Sequence, residues 1–379
     1  MTPVDLSTTV LHAVRRAVGE NALRAPVPAR VRVERTRPGG RGDYASAVAL
    51  QLAGPAALPA REVAEILRDR LTGAPGVSRV EITGPGFLNF TLDASAGAAA
   101  HRDIVHRVRE EGERYGYGDD LAGQRLGVVH AREVRAAVTA DAVRRLLTAR
   151  GAVVRLSCEG EPDADWARLG VAIDAYGKPP AGPGADRQPL GGAAHGPDAP
   201  GTPLAPIRPI PAGETAAALL TRLGPDAARW GLLRAAGHDR APLGPELIVQ
   251  TEANALFRVR YAYARTRAVV REAGRLGVAV PGDGEDLDAT GADALLALLA
   301  DHPAVLAAAA RHRAPDRLAR HLEAVAGAFF DFHDAAPPLP VGDEKPSAAH
   351  RSRTAIAEAA GTVLAGGLSL LGVSAPEHL

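Results

Sequence analysis

The chain has 379 residues, enough for two or three domains with sizeable cores. Lysine plus arginine equals aspartate plus glutamate at 44 each, so no overall field draws it to nucleic acid, and RNA affinity must come from local, salt-sensitive patches. The single cysteine, Cys158, excludes an internal disulfide or a multi-cysteine metal site and fits a reducing cytoplasm, and with aromatics at 4% the cores must lean on Ala, Leu and Val.

Residues 1–115 read as a small α+β domain. Val10, Val14 and Val18 have the spacing of an opening helix. Val31 and Val33 alternate with Arg30, Arg32 and Glu34, as in a half-exposed strand. Asp43-Tyr-Ala-Ser precedes the apolar run Ala47 to Leu52, which reads as a helix start. Arg61 to Leu71 reads as an amphipathic helix with Val63, Ile66, Leu67 and Leu71 inward. Val77 to Ile82 and Phe87 to Leu92 read as strands flanking the Gly84-Pro-Gly86 turn.

Residues 116–177 begin a βαβ unit. Arg125 to His130 (RLGVVH) reads as a buried strand and Val134 to Arg150 as a helix with Val138, Ala142, Leu146 and Leu147 inward. Ala152 to Cys158 reads as a second strand. Asp163 and Asp165 beside Trp166 suit a loop before a helix. Residues 178–213 are crowded with Pro and Gly and read as a linker or disordered loop.

Residues 214–379 read as all-helical. Segments Glu214 to Leu223, Gly224 to Leu233, Ala292 to Leu299, Pro303 to Arg311, Arg317 to Phe332 and Arg351 to Leu371 each carry helical patterning. The most telling segment is Asn254 to Arg275, with neither Pro nor Gly before Gly274. At about 100° per residue, Arg260, Arg267, Arg271 and Arg275 fall within a sector of roughly 80°. Phe257, Tyr261 and Tyr263 interleave with them. Arginine neutralises phosphate and aromatic faces stack on unpaired bases, so the pattern suits RNA; a solvated basic face over a packed core fits it equally. Because nearly all basic residues are Arg, as GC-rich coding favours, the choice of Arg at any one position says little.

Six segments carry a resemblance to arginyl-tRNA synthetases. The helix resembles the family's N-P-V-Y-Y-V-Q-Y-A-H-A-R pattern at Asn254, Val259, Tyr261, Ala262, Ala264 and Arg265, and departs from it at Ala255, Arg258, Arg260 and Tyr263. The segment Gly224-Pro-Asp-Ala-Ala-Arg229-Trp-Gly-Leu-Leu233 resembles G-x-D-A-A-R-F-x-L-L. The ending Leu370-Leu-Gly-Val-Ser-Ala-Pro-Glu377-His-Leu379 resembles L-L-G-V-S-A-P-E-x-M, with Leu379 in place of methionine. In residues 1–115, GDYASAVALQLA, AREVAEILRDRL and VEITGPGFLNFTL resemble the family's N-terminal additional domain. The resemblance implies that this domain holds the D-loop corner of tRNA, with Phe87 and Asn89 at base-contacting positions. On the residues alone, Phe87 reads as core and Asn89 as an outward or turn-supporting polar group. The resemblance further implies a DALR-type anticodon-binding bundle over residues 214–379, with Asn254, Arg258, Arg260, Tyr261, Arg265, Arg267, Arg271 and Leu379 facing tRNA.

The family's ligase motifs do not read through. H-x-G-H aligns with His130-Ala131-Arg132-Glu133: the glycine is Arg132 and the second histidine Glu133, a bulky residue and an anion where ATP phosphates should approach a helix N-terminus. The position of K-M-S-K-S falls in Ala205 to Glu214 (APIRPIPAGE), where Arg208 is the only basic residue. No P-loop, dinucleotide fingerprint, zinc motif or nucleophile elbow stands in for them. His312, His321 and His333 read as solvated or hydrogen-bonded rather than as metal ligands.

The expected molecule is a truncated, non-catalytic paralogue similar to the ArgS-related anticodon-binding proteins. It would combine an α+β N-terminal domain, a vestigial Rossmann-like remnant and an all-α bundle. It would bind tRNA, that for arginine by family analogy, and need no cofactor, ATP being implied only by retained ligase activity. The alternatives are an active arginine–tRNA ligase and a scaffold for a protein partner. No DNA or membrane partner is expected: the N-terminus lacks a signal peptide's basic start and apolar core, and no window approaches a continuous transmembrane span, so a cytoplasmic location follows.

Overall fold

Three helices bury their apolar stripes against one small antiparallel sheet in the first of two compact units, residues 1–106 and 107–379. The computed structural model describes residues 3–36, 40–177, 202–204, 206–278 and 287–379. In the first unit, α1 (Pro3–Gly19) buries Leu6, Val10 and Val14. Strands β1 (Glu34–Arg35) and β2 (Tyr44–Ser46) precede α2 (Val48–Ala56) and α3 (Ala60–Leu71). Strands β3 (Val77–Thr83) and β4 (Phe87–Leu92) form the expected hairpin, and the sheet order is β1-β2-β4-β3. Val31 is buried and Arg32 exposed, as the alternation predicts, but strand pairing starts only at Glu34. At the hairpin tip Gly86 has φ +145°, and a Cβ there would sit 2.8 Å from the Ala60 carbonyl oxygen, so only glycine lets the turn rest on the start of α3.

Helix α4 (Ala94–Glu111) leads into the second unit, where β5 (Arg125–His130), α5 (Val134–Thr148) and β6 (Val153–Cys158) form the expected βαβ unit. Short strands β7 (Ala175–Tyr176) and β8 (Thr202–Pro203) extend it to a parallel sheet of order β7-β6-β5-β8. Most of the stretch expected as a linker, residues 178–201 and 205, lies outside the described residues. Its described end is not free: β8 pairs with β5, and Ile207 bridges His130.

Helices α6 (Ala216–Arg234), α7 (Ala255–Arg275), α8 (Asp293–His312), α9 (Pro315–Ala335) and α10 (Ala348–Leu371) complete the unit. Gly224, with φ +74°, breaks α6 in two, and Pro225 restarts it. The two segments expected around Pro303 are one helix. Proline removes the N–H that would bond the Leu299 carbonyl, and the Tyr115 hydroxyl donates to that oxygen instead, at 3.1 Å. Helices α8 and α10 are long and apolar enough to cross a membrane, contrary to the sequence expectation. Alanine-rich core helices meet that criterion, and 83% of the α10 window is buried inside the protein.

Helix α5 is buried nearly all round, between the sheet and helices α6, α8, α9 and α10. The stretches expected as separate segments, 116–177 and 214–379, therefore share one compact unit. Two buried arginines make the join. Arg135 spends all five N–H donors on carbonyls: Leu232, Ala235 and Ala236 at the end of α6, plus Ile210 and Asp239. Arg229 donates to Asp141 of α5 at 2.8 Å, to the Leu371 carbonyl ending α10, and to the Leu169 carbonyl. A Cβ on Gly372 would collide with this guanidinium, 2.4 Å from Nη2. Burial alone would push the Asp141 carboxyl up, but Arg229, Arg145 and Arg144 together hold it below the usual carboxylate range.

His302 and His321 stack at 5.3 Å in the core between α8 and α9, and Tyr115 stacks on His302. Sequence placed His321 in a solvated or hydrogen-bonded setting; it is instead buried, and its Nε2 has no hydrogen-bond partner. Burial lowers the pKa of His321 to about 4 and that of His302 well below its ordinary value, with His321 lowering it further.

Two predictions follow from these contacts. Asp141→Asn leaves Arg229 buried without its counter-charge and should cost about 3 kcal/mol in urea unfolding at pH 7. Because both histidines have depressed folded pKa values, the unfolded chain takes up their protons first. Stability should hold above about pH 6.5 and decline from there toward pH 4, by on the order of 2 kcal/mol at pH 5 for His321. A His321→Leu variant should show a shallower decline over that range.

Candidate nucleic-acid interface and the turn after β5

The turn after β5 is occupied by the protein itself. Glu133 caps α5: one carboxylate oxygen accepts from the Ala136 N–H at 2.9 Å and the other from the Ala212 N–H at 2.8 Å. Leu204 and residues 206–212 lie along the edge and end of β5. Leu204 donates to the Gly127 carbonyl, Ile207 to that of Val129, and Ala131 to that of Ile207. His130 is fully buried, its ring 5.7 Å from Trp166, and its Nδ1 lies 2.8 Å from the Ala131 carbonyl oxygen. That contact needs a proton on Nδ1, and Nε2 is left without a partner. Burial lowers the His130 pKa, so the ring is neutral near pH 7. Arg132 donates to the Glu161 carbonyl, and Arg208 pairs with Glu159. Asp163 accepts from the Asp165 N–H and starts the 3-10 helix Ala164–Leu169, the role a loop before a helix predicts.

Helix α7 carries the other expected site, and much of it is already engaged. Asn254 is buried: its Oδ1 caps α7 and its amide donates to the Leu247 and Val249 carbonyls, so its side chain has no capacity left for RNA. Arg260 pairs with Asp226 at 3.3 Å and donates to the Ser374 hydroxyl. Arg267 and Arg271 both pair with Glu377, at 3.1 and 3.6 Å, and Arg275 pairs with Glu272. Each arginine of the sector thus has an acidic partner, but four guanidiniums share three carboxylates. Arg265 is exposed and has no ionic or hydrogen-bond partner among the described residues. The Arg258 guanidinium lies against Gly327 of α9.

The aromatic residues divide. Tyr263 is buried, whereas Tyr261 is 43% exposed and stacks between Phe257 and Phe330, at 5.5 and 5.6 Å. Beside it lies a cleft of about 260 Å³ whose walls include Pro225, Asp226, Ile248, Phe257, Arg260 and Leu379. Leu379 is about half-exposed. In the first unit, Phe87 is 38% exposed rather than core, because it stands at the hairpin end of β4. Asn89 is buried and donates to the Thr83 hydroxyl, so it supports the turn instead of pointing outward.

Sequence reasoning missed the groups that act across the chain: Asp226, Ser374 and Glu377 on the arginines, Phe330 on Tyr261, and Ala212 on Glu133. Local pattern carries no signal for these, since the partners stand 34 to 114 residues apart in sequence and meet only in the folded chain. The one legible clue was Glu377, a lone acid in an otherwise uncharged tail from Gly366 onward.

The folded units fit a known architecture. Residues 5–92 match the arginyl-tRNA synthetase N-terminal domain and residues 259–379 the DALR anticodon binding domain. The arginine–tRNA ligases of Renibacterium salmoninarum and Frankia alni are each 29% identical to this chain, over 553 and 556 aligned positions covering all of both chains. With 379 residues against 553 positions, at least 174 positions have no residue here. The fold is that of Thermus thermophilus arginyl-tRNA synthetase (TM-score 0.69, 14% identity, all of both chains) and of the Plasmodium falciparum enzyme (0.68, 9%, all of this chain and 99% of that one). The class is therefore a multidomain, aminoacyl-tRNA-synthetase-like protein with a helical anticodon-binding domain. Within that class the chain is similar to arginyl-tRNA synthetases, whose N-terminal and DALR domains its two matched segments resemble.

The Glu133 contacts can be tested directly. Glu133→Ala removes the α5 cap and the anchor on Ala212. It should cost about 1–2 kcal/mol of stability and speed amide exchange across residues 207–212.

Proposed function

We propose that this protein binds tRNA through its N-terminal domain and the α7 face and does not ligate arginine. The observation that carries the second half is Glu133. A helix N-terminus opened by a glycine would receive phosphate; here it receives a carboxylate from the same chain, which also accepts from the Ala212 N–H. ATP would have to displace the cap and meet its charge. The positions missing relative to the ligases support the same reading, with the sheet between β5 and β8 as a vestige of the catalytic domain. Tyr261, Phe330 and Phe257 offer a stacking surface for an unpaired base, and the neighbouring cleft of about 260 Å³ has room for one. Arg265 supplies an unengaged positive charge, and Phe87 an exposed ring on the first unit. The 29% identity to ligases across their length favours the reading of a working enzyme, and the pairing of the arginine sector with acids of the same chain favours a protein-binding scaffold.

Titration with unfractionated tRNA at two salt concentrations tests the binding. Affinity should fall as salt rises, Arg265→Ala should weaken binding several-fold and flatten the salt slope by about one contact, and Tyr261→Ala should weaken it by on the order of tenfold. Absence of binding at low salt would favour the scaffold.

A further inference from the structure

Four side chains form a column in the second unit. The Arg107 guanidinium of α4 lies 5.5 Å over the Tyr115 ring. Tyr115 stacks on His302 of α8 at 6.0 Å, with the rings 11° from parallel, and His302 stacks on His321 of α9 at 5.3 Å. Tyr115 and both histidines are buried. His302 Nδ1 and His321 Nε2 have no hydrogen-bond partner. Protonation makes both nitrogens of an imidazole donors. Those two atoms would then become buried N–H groups without acceptors, on charged rings stacked against each other and below a guanidinium.

No anion of the packed elements offsets that charge. Glu111 of α4 pairs with Arg107, and both act with Asp301 of α8 on the Tyr115 hydroxyl. Glu358 of α10 pairs with Arg109, and Asp141 of α5 with its three arginines. On α9, Asp316 pairs with Arg320, and Glu323 with Arg234 of α6. Among the described residues, burial and His321 alone act on the His302 ring, and burial alone on His321. A charged ring must therefore reach water, and the weakest wall around it is the turn that carries Tyr115. Residues 112–118 comprise one 3-10 turn, Gly112–Arg114, and irregular chain. Three long-range hydrogen bonds hold them: the Tyr115 hydroxyl to the Leu299 carbonyl at 3.1 Å, Arg150 to the Gly116 carbonyl at 3.0 Å, and the Gly118 N–H to the Ala149 carbonyl at 3.0 Å. The fit against α8 is close. A Cβ on Gly116 would sit 3.1 Å from Pro303 Cα and 3.2 Å from His302 Cδ2, so movement of the imidazole reaches the turn directly. Opening a segment held by so few bonds costs less than parting α8 from α9.

We infer that residues 112–118 are an acid-sensitive latch: protonation of the stacked histidines lifts Tyr115 off α8 while the helices of the bundle stay packed. The inference is independent of the tRNA-binding reading. The sign follows from linkage. Both histidines have depressed values in the closed form, so the open form takes up their protons first, and opening grows as pH falls below about 6.5. The latch closes again when the ring loses its proton, and no covalent change is involved.

The test is amide exchange of the full-length protein between pH 7 and pH 5, corrected for the intrinsic pH dependence of exchange. Protection of Tyr115 to Gly118 should fall on the order of 20-fold over that range, the amount expected when one histidine is freed, while protection of the α10 core falls much less. Tyr115→Phe keeps the stack and loses the bond to Leu299. It should speed exchange of the turn several-fold at both pH values and leave the pH ratio unchanged. His302→Phe keeps a ring against Tyr115 without a titrating group, and its pH ratio should drop to a few-fold or less. The comparison within the parent protein needs no variant. If the turn loses protection only in step with α10, or shows no pH response beyond the intrinsic one, the inference is overturned. An undiminished ratio in folded His302→Phe overturns it as well.

Discussion

The second unit is organised around one buried ion pair, Asp141 with Arg229. Both side chains are essentially inaccessible, and the aspartate is also reached by Arg144 and Arg145. The attraction largely offsets the cost of stripping both ions of water, so the pair adds little net stability. Its effect is on arrangement. Any packing that separates α5 from α6 leaves a charge buried without a partner. The same guanidinium holds the carbonyl ends of α10 and of the 3-10 helix before Gly170, and Gly372 has no side chain to obstruct it. The βαβ unit, the helical bundle and the root of the C-terminal tail are therefore fixed to one another through one residue.

That constraint ties the short parallel sheet to the bundle through α5. At the N-terminus of α5, Glu133 accepts from the Ala136 amide, one of the orphan donors there, and from Ala212, which holds the end of the incoming segment in place. At its other side the helix is covered by the bundle. The βαβ unit serves as the platform on which α6, and beyond it α7, are set. Arg135 acts in parallel, closing the C-terminus of α6 with a full complement of donors.

Periodicity made the helices and the hairpin legible, because helical and strand spacing of Val, Leu and Ala is a local signal. It located the βαβ unit for the same reason. It missed β7 and β8, which have two residues each and exist only by pairing with longer neighbours. It split α8 at Pro303, because the hydroxyl that replaces the lost hydrogen bond comes from Tyr115, far away in sequence. The candidate site was legible by composition but not by state. Arginine spacing on α7 marked a basic face, yet whether those charges are available depends on Asp226 and Glu377, which local pattern cannot place. Asn254 and Asn89 matched family positions, and their side chains turn out to be committed to a helix cap and a turn.

Under the proposed function, a chain whose α5 N-terminus is capped by its own carboxylate would compete for tRNA, hold it or present it rather than charge it. The account stands or falls on the nucleotide site. ATP–pyrophosphate exchange, measured with arginine in the presence and absence of tRNA on protein that binds tRNA, probes it directly. The account predicts exchange indistinguishable from background under both conditions; clear arginine-dependent exchange that requires tRNA would contradict it.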